Sequence, residues 1–205
     1  METSGQVKRV RGRVDEIQER LGHTAPVWLM PILESAQGLE NAVHIALASP
    51  FVVALTIGLE DYTADLGVVK TREGTETLWA RSRMVNAARA AGVQAIDSVY
   101  GDVADEEGLL AWGHRSRALG FQGMGCIHPR QIRVIHKTFA PTVLEINKAK
   151  KIVLAFDDAT ANGLGVVSLG SKMIDPPVVK RAQKTIDLAL KSGLLPENWK
   201  KHIEE

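Results

Sequence analysis

Acidic side chains and one histidine stand directly after apolar runs in this sequence. Glu34 follows the run from Val27 to Leu33. Glu60 and Asp61 follow Phe51–Ile57 and a stopping glycine, Gly58. Asp97 and Asp102 fall at the end of Val93–Val99, and His128 follows Gly123–Ile127. If these runs are neighbouring parallel strands, their ends lie about 5 Å apart sideways. Two carboxylates placed there, Glu34 and Asp61, can share one hard cation. Mg²⁺ suits such a pair, because it takes one or two carboxylates and completes its octahedron with water and substrate oxygens. A cation held that way polarises a carbonyl and stabilises an enolate. The competing reading makes both acids surface loop residues or helix caps, and spacing alone leaves the two readings open.

The remaining polar residues have complete structural accounts beside any functional one. Glu60 adjoins Asp61 but need not share its direction, and an ion pair bracing its loop explains it as well. Pro129 biases His128 toward an extended backbone, and the expectation is a structural or substrate-positioning role rather than acid–base work. Arg81 and Arg83 lie on a helix, as surface or ion-paired residues. Asp175 precedes Pro176, Pro177 and an amphipathic helix, so an N-cap with proline at the first helical position accounts for it. The stretch Gly163–Gly170 lacks the Gly-Lys-Ser/Thr ending of a P-loop and the strand–helix context of a dinucleotide fingerprint, which excludes both. Cys126 is the only cysteine. It permits no intrachain disulfide, fits a reducing compartment and is expected to be buried and inert.

The elements that must position these residues alternate. Val7, Val10, Val14, Ile17 and Leu21 mark an amphipathic helix ended by Gly22, with the basic run of Val7–Arg13 as its solvated face. Val27–Leu33 shows no alternation and predicts a strand covered on both faces. A helix follows over Leu39–Ala48, then a strand over Phe51–Ile57 and a polar loop through Val69–Gly74. Thr77–Ala91 reads as a helix closed by Gly92. Strand Val93–Val99, a helix from the N-cap Asp105 to Leu119, and a strand-like piece Gly123–Ile127 complete the series. Four strand–helix units predict an α/β fold with a parallel sheet, and in a β/α barrel chemistry gathers at the C-terminal strand ends. Past Pro141 the pattern changes to a long helix over Thr142–Thr160, a glycine-broken stretch, and a helix after Asp175. Residues 1–140 and 141–205 are therefore expected to be separate domains.

The 205 residues suit one domain or one with an appendage. Lys and Arg total 25 against 24 acids, so neither nucleic acid nor a membrane surface is expected as partner. No apolar run approaches the roughly 20 residues that span a bilayer, and the first residues lack the apolar core of a signal peptide. A cytoplasmic location is expected.

Six segments resemble the family of the citrate lyase β subunit, malyl-CoA lyase and citramalyl-CoA lyase. They are Pro-Ile-Leu-Glu-Ser-Ala-Gln-Gly (31–38), Ile-Gly-Leu-Glu-Asp-Tyr-Thr-Ala-Asp-Leu-Gly (57–67), Ala-Ile-Asp-Ser-Val-Tyr (95–100), Gly-Phe-Gln-Gly-Met-Gly-Cys-Ile-His-Pro-Arg-Gln (120–131), Phe-Ala-Pro (139–141) and Gly-Ser-Lys-Met-Ile-Asp-Pro-Pro (170–177). Their order and spacing match the family from about residue 27 to 190. The resemblance implies a (β/α)8 TIM-barrel type with only about strands 5–8 present, followed by a C-terminal helical extension. It implies Mg²⁺ ligands at Glu34 and Asp61. It also implies a catalytic acid at Asp175, on a flap that in relatives covers the active site of a neighbouring subunit. The expected assembly is a homo-oligomer, a trimer or a multiple of one. The implied reaction is aldol-type cleavage of a hydroxyacyl-CoA thioester such as citryl-, malyl- or citramalyl-CoA, or its reverse. The hydroxyl proton leaves, the C–C bond breaks, and an acid delivers a proton to the enolate carbon.

The family's chains are longer, and their first four strands bring an arginine for the substrate and much of the CoA pocket. Four strands cannot close an eight-stranded barrel. Expected explanations are a separate chain supplying the first half, two associated copies, or a fragment of a longer product. A separate or missing first half is favoured, because two copies would duplicate the metal acids and still lack the arginine. A partial or non-catalytic subunit of an acyl lyase complex, or a malate-synthase- or thioesterase-like activity, stands as the alternative.

Overall fold

The computed structural model describes residues 1–169 and 172–200, so Gly170 and Ser171 of the last motif lie outside the described residues. The chain divides into two compact units, Met1–Phe139 and Ala140–Glu205.

The first unit opens with helix α1 (Ser4–Leu21). Thr3 and Gln6 form a capping box at its start, and Gly22 ends it at φ 62°. That left-handed turn favours glycine, which has no Cβ to clash. The basic run is not wholly solvated, because Arg11 is buried. Its guanidinium donates to the Val27 carbonyl at 3.0 Å and to Gln18, pairs with Asp15, and lies 4.3 Å above the Phe51 ring. An aromatic face and a carbonyl beside the helix make burial of this planar cation tolerable.

A four-stranded parallel sheet follows in the order β1 (Ile32–Leu33), β2 (Ala54–Ile57), β3 (Gln94–Asp97) and β4 (Gly123–Met124). Helices α2 (Ala36–Glu40) and α3 (Ala42–Ala46) connect β1 to β2, in place of the single helix expected over Leu39–Ala48. Helix α4 (Leu59–Leu66) springs from the end of β2, a 3-10 turn (Thr75–Thr77) leads to α5 (Leu78–Ala91), α6 (Glu106–Leu119) follows β3, and α7 (Pro129–Phe139) follows β4. Leu33, Leu55, Ile57, Leu59, Ile45 and Met84 are almost wholly buried in one core.

The first strand departs from expectation. Only Ile32–Leu33 is regular strand, with an isolated parallel bridge between Leu29 and Val52. Its side chains alternate. Pro31 and Leu33 are buried, whereas Trp28, Met30 and Ile32 are 57%, 52% and 45% exposed. A run without sequence alternation thus has one covered face and one open face. Among the described residues β1 is an edge strand that pairs only with β2, and an open edge is a ready template for another strand.

A buried polar cluster joins β3 to the helices behind the sheet. The Arg81 guanidinium donates to both carboxylate oxygens of Asp97, at 3.3 and 2.5 Å, and to Ser116 Oγ at 3.0 Å. Asp97 has no exposed surface, and Arg81 stacks 4.3 Å from the Trp112 ring. Asp97, placed by the sequence among the strand-end acids, is a core residue.

The second unit contains α8 (Val143–Ala161), an antiparallel pair β5 (Val167–Leu169) and β6 (Lys172–Ile174), and α9 (Pro176–Lys191). The strand pair lies between the two helices expected here, in the stretch that the glycines interrupt. The glycines at 163 and 165 end α8 without continuing it, and the chain turns back on itself instead. A capping box of Thr142 and Glu145 starts α8. Ile146, Ile152, Val153, Ile174, Ile186 and Trp199 form a core of this unit's own. No helix among the described residues is long and apolar enough to cross a membrane.

Candidate metal centre

Glu34 stands one residue beyond β1 and is half-buried. The register pairs Leu33 with Ile57, and the Gly58 N–H donates to the Leu33 carbonyl at 2.9 Å. The Glu34 side chain lies across Gly58: a Cβ on that glycine would sit 3.0 Å from both the Cβ and the Oε2 of Glu34. Glycine at this place lets a carboxylate from one strand end lean over the next.

Gly58 is the N-cap of α4, and Glu60 and Asp61 occupy the helix's first turn. Acidic residues there complement the unpaired N–H groups and the positive end of the helix dipole. The sequence reading placed Asp61 in a loop after the strand and did not find this helix. Only Gly67, at φ 69°, signals its end. The start of α4 is fixed from the opposite side, where the Leu59 N–H donates to the buried Ser98 Oγ at 3.2 Å.

Glu60 and Asp61 part company. Glu60 accepts from Lys70 Nζ at 2.5 Å, the loop brace that the sequence left open. Asp61 is exposed. Among the described residues neither Asp61 nor Glu34 has a hydrogen-bond or ion-pair partner for its carboxylate. Two free carboxylates at the C-terminal ends of adjacent strands fit a hard divalent cation that keeps most of its ligands as water or substrate. Among the described residues no group of three or more His, Cys, Asp or Glu side chains can hold a metal, so the donor set is not that of a closed protein cage.

A cleft of about 410 Å³ is lined by Glu60, Lys70, Arg72, Tyr100, Asp105 and Trp112, and by neither Glu34 nor Asp61. The sequence reading missed Lys70, Arg72 and Tyr100 because they sit in irregular loops with no periodic signal. Asp105 was expected only as an N-cap, and it does accept from the Gly108 N–H at 2.9 Å. It also accepts from the Tyr100 hydroxyl at 2.7 Å and pairs with Arg72 at 2.9 Å. The Tyr100 hydroxyl bond, then the Gly108 amide, hold its pKa below the usual carboxylate value. Burial, followed by the Asp105 contact, pushes the Tyr100 phenol up.

His128 is exposed, and its Nδ1 accepts from the Arg130 N–H at 3.1 Å. That bond braces the first turn of α7, a structural contact, and it leaves open the substrate-positioning role that was the other half of the expectation. Gln131, which the sequence did not single out, is buried and holds the same corner. Its Oε1 accepts from the Ile127 N–H at 3.0 Å and its Nε2 donates to the Tyr100 carbonyl at 2.9 Å. Cys126 is exposed rather than buried, because β4 ends two residues earlier and leaves it on a loop. Asp175 belongs to the second unit. Its Oδ1 accepts from the Val178 N–H at 3.1 Å as the N-cap of α9.

This strand-end arrangement coincides with a sequence match. The model of the HpcH/HpaI aldolase/citrate lyase family matches residues 1–129. The chain belongs to this family. The citrate lyase subunit beta of Escherichia coli strain K12 is 43% identical over 169 residues, covering 82% of this chain and 56% of that protein. The mitochondrial citramalyl-CoA lyase of Homo sapiens is 36% identical over 172 residues, covering 80% of this chain and 51% of that one. The chain thus spans little more than half the length of these curated relatives. Among solved structures, the CitE protein of Mycobacterium tuberculosis in complex with magnesium, acetoacetate and coenzyme A superposes with a TM-score of 0.75 at 29% identity, covering 92% of this chain and 66% of that one. A citrate lyase from Burkholderia xenovorans LB400 shares the fold at a TM-score of 0.80 and 22% identity, covering 94% of this chain and 62% of its own.

Proposed function

We propose that this chain carries the metal site of a Mg²⁺-dependent carbon–carbon lyase that cleaves, or forms, a hydroxyacyl-CoA ester of the citryl-, malyl- or citramalyl-CoA kind. The observation that carries the reading is the pair of unpartnered carboxylates, Glu34 and Asp61, at the C-terminal ends of β1 and β2. Relatives named citrate lyase subunit beta and citramalyl-CoA lyase, and a solved relative holding magnesium and coenzyme A, support it.

Glu34 and Asp61 are the residues that would hold Mg²⁺, a cation that typically takes only one or two protein carboxylates. When bound, the ion supplies Lewis-acid stabilisation of the oxygen on which charge develops as the C–C bond breaks. The substrate hydroxyl passes its proton to a solvent water, a carbonyl forms at that carbon, and the electron pair of the breaking C–C bond passes to the carbon next to the thioester. Asp175 returns a proton to that carbon on cleavage and removes it in the synthetic direction. In this reading the second unit serves as a flap over the site of a neighbouring subunit in a homo-oligomer, a trimer or a multiple of one.

The strands β1–β4 are read as the fifth to eighth of a (β/α)8 barrel, with the other four supplied from outside residues 1–205. The open face of Trp28, Met30 and Ile32 on an edge strand favours this completion. It also favours the second reading, in which this chain is a partial subunit that catalyses only within a complex.

Mn²⁺ titration of the full chain, followed by electron paramagnetic resonance, tests the metal site. Saturable binding that Glu34→Gln and Asp61→Asn each reduce strongly is the expected result. Unchanged affinity in both variants rejects the proposal. Incubation with Mg²⁺ and each CoA ester, alone and with a candidate first-half chain, then separates the readings. Acetyl-CoA as product marks a lyase, and free CoA marks a thioesterase or synthase.

A further inference from the structure

Asp65 lies one helical turn beyond Asp61 on α4, so the two side chains share a face of the helix. Its Oδ2 accepts a hydrogen bond from the Ala36 N–H at 2.8 Å, across 29 residues of sequence. Ala36 is the first residue of α2 and stands two residues beyond Glu34. Between them, the Ser35 Oγ accepts from the Gly38 N–H at 3.2 Å and donates to Glu2 at 2.9 Å. One charged hydrogen bond thus ties the segment that carries Glu34 to the helix that carries Asp61.

We propose that Asp65 is a positioning residue that keeps the Glu34 and Asp61 carboxylates in register for one cation. The inference rests on the metal reading given above. Ser98 secures the first turn of α4 toward β3, while Asp65 secures its next turn toward β1. Among the described residues, the other ties between α4's start and the Glu34 segment are the close approach at Gly58 and the Gly58 N–H bond to the Leu33 carbonyl. A partner that orients ligands without touching the metal commonly controls affinity about tenfold or more.

A second way for Asp65 to act is through its charge alone, which would attract any nearby cation. Asparagine separates the two. Asp65→Asn retains a carbonyl oxygen to accept from Ala36 but removes the charge, whereas Asp65→Ala removes both. Asp65 is exposed, so both variants are expected to fold, and circular dichroism checks this.

The test measures Mn²⁺ affinity of the full chain together with hydrogen–deuterium exchange at the Ala36 amide. The expected result is an affinity for Asp65→Asn within about twofold of the unsubstituted protein. Asp65→Ala should bind about tenfold more weakly and show faster Ala36 exchange. If Asp65→Ala binds Mn²⁺ normally while Glu34→Gln and Asp61→Asn do not, the positioning role is wrong and the metal site stands. If Asp65→Asn is as weak as Asp65→Ala, the effect is one of charge and the bridge is rejected. If Glu34→Gln and Asp61→Asn also bind normally, the metal reading falls and this inference falls with it.

Discussion

Gly58 and Glu34 are in such close apposition that a single methyl group on the glycine would meet the carboxylate. The nearest Glu34 atoms would stand 3.0 Å from it. The backbone of Gly58, at φ −103° and ψ 96°, is one that any residue adopts. The requirement for glycine is therefore one of space for the Glu34 side chain, not of conformation. Gly58→Ala should leave the melting temperature nearly unchanged while weakening Mn²⁺ binding about tenfold, as the Glu34 carboxylate is pushed off the β2 end. Parallel thermal melts and metal titrations check this; a large drop in Tm with normal affinity would show that the site tolerates the shift.

Asp175 has an observed N-cap bond and a proposed catalytic role, and substitution can separate the two. Its N-cap bond to Val178 survives in Asp175→Asn, since asparagine caps as well as aspartate. The proton-transfer role proposed for it does not. In the complete enzyme Asp175→Asn should keep its Tm and its Mg²⁺ affinity and lose turnover by about 10² to 10⁴-fold. Asp175→Ala should lose the same turnover and in addition about 1 kcal/mol of stability in the second unit. Turnover of Asp175→Asn equal to the unsubstituted enzyme removes this residue from the chemistry.

Arg81 and Asp97 form a buried pair with side chains only 3% and 0% exposed. Removing one partner strands the other charge in the core. Asp97→Ala should cost about 3–5 kcal/mol, read from the urea midpoint. The same change also removes the acceptor for the Ser98 N–H, next to the hydroxyl that holds the first turn of α4. A loss under 1 kcal/mol would mean that water enters to solvate Arg81.

Asp105 links stability to pH in a direction that can be worked out. Its folded pKa lies below the ordinary 3.8, through the Tyr100 hydroxyl first and the Gly108 amide next. A depressed carboxylate pKa stabilises the fold at every pH above the unfolded value. That contribution is lost as pH falls through the folded value. Asp105→Ala should therefore melt lower than the unsubstituted protein at pH 7, and the gap should narrow steadily as pH falls below about 4. A gap independent of pH would assign the effect to packing alone.

Much of the fold is legible in the residues by themselves. Short-range signals suffice for α1, α5, α6, α8 and α9, because capping side chains and terminal glycines act within a turn of the residues they cap. Thr3, Asp105, Thr142 and Asp175 all serve as the N-caps of observed helices. The parallel sheet also follows from local pattern, since apolar runs that alternate with helices leave few other arrangements. Glu34 and Asp61 stand out by their places after those runs and by the family resemblance, Asp175 by the resemblance alone.

What tertiary structure alone decided is which polar groups face one another. Asp97, Asp61 and Glu60 are all acids near strand ends. Yet the first is buried against Arg81, the second is free, and the third is held by Lys70. Those partners come from distant loops and helices, with no periodicity to announce them. The open face of β1 was hidden for a related reason. A run of apolar residues carries no mark of whether a neighbouring layer is present to cover it. Composition along the chain determines which segments prefer to be buried, but the identity of each side chain's neighbour is set only when segments far apart in sequence pack together.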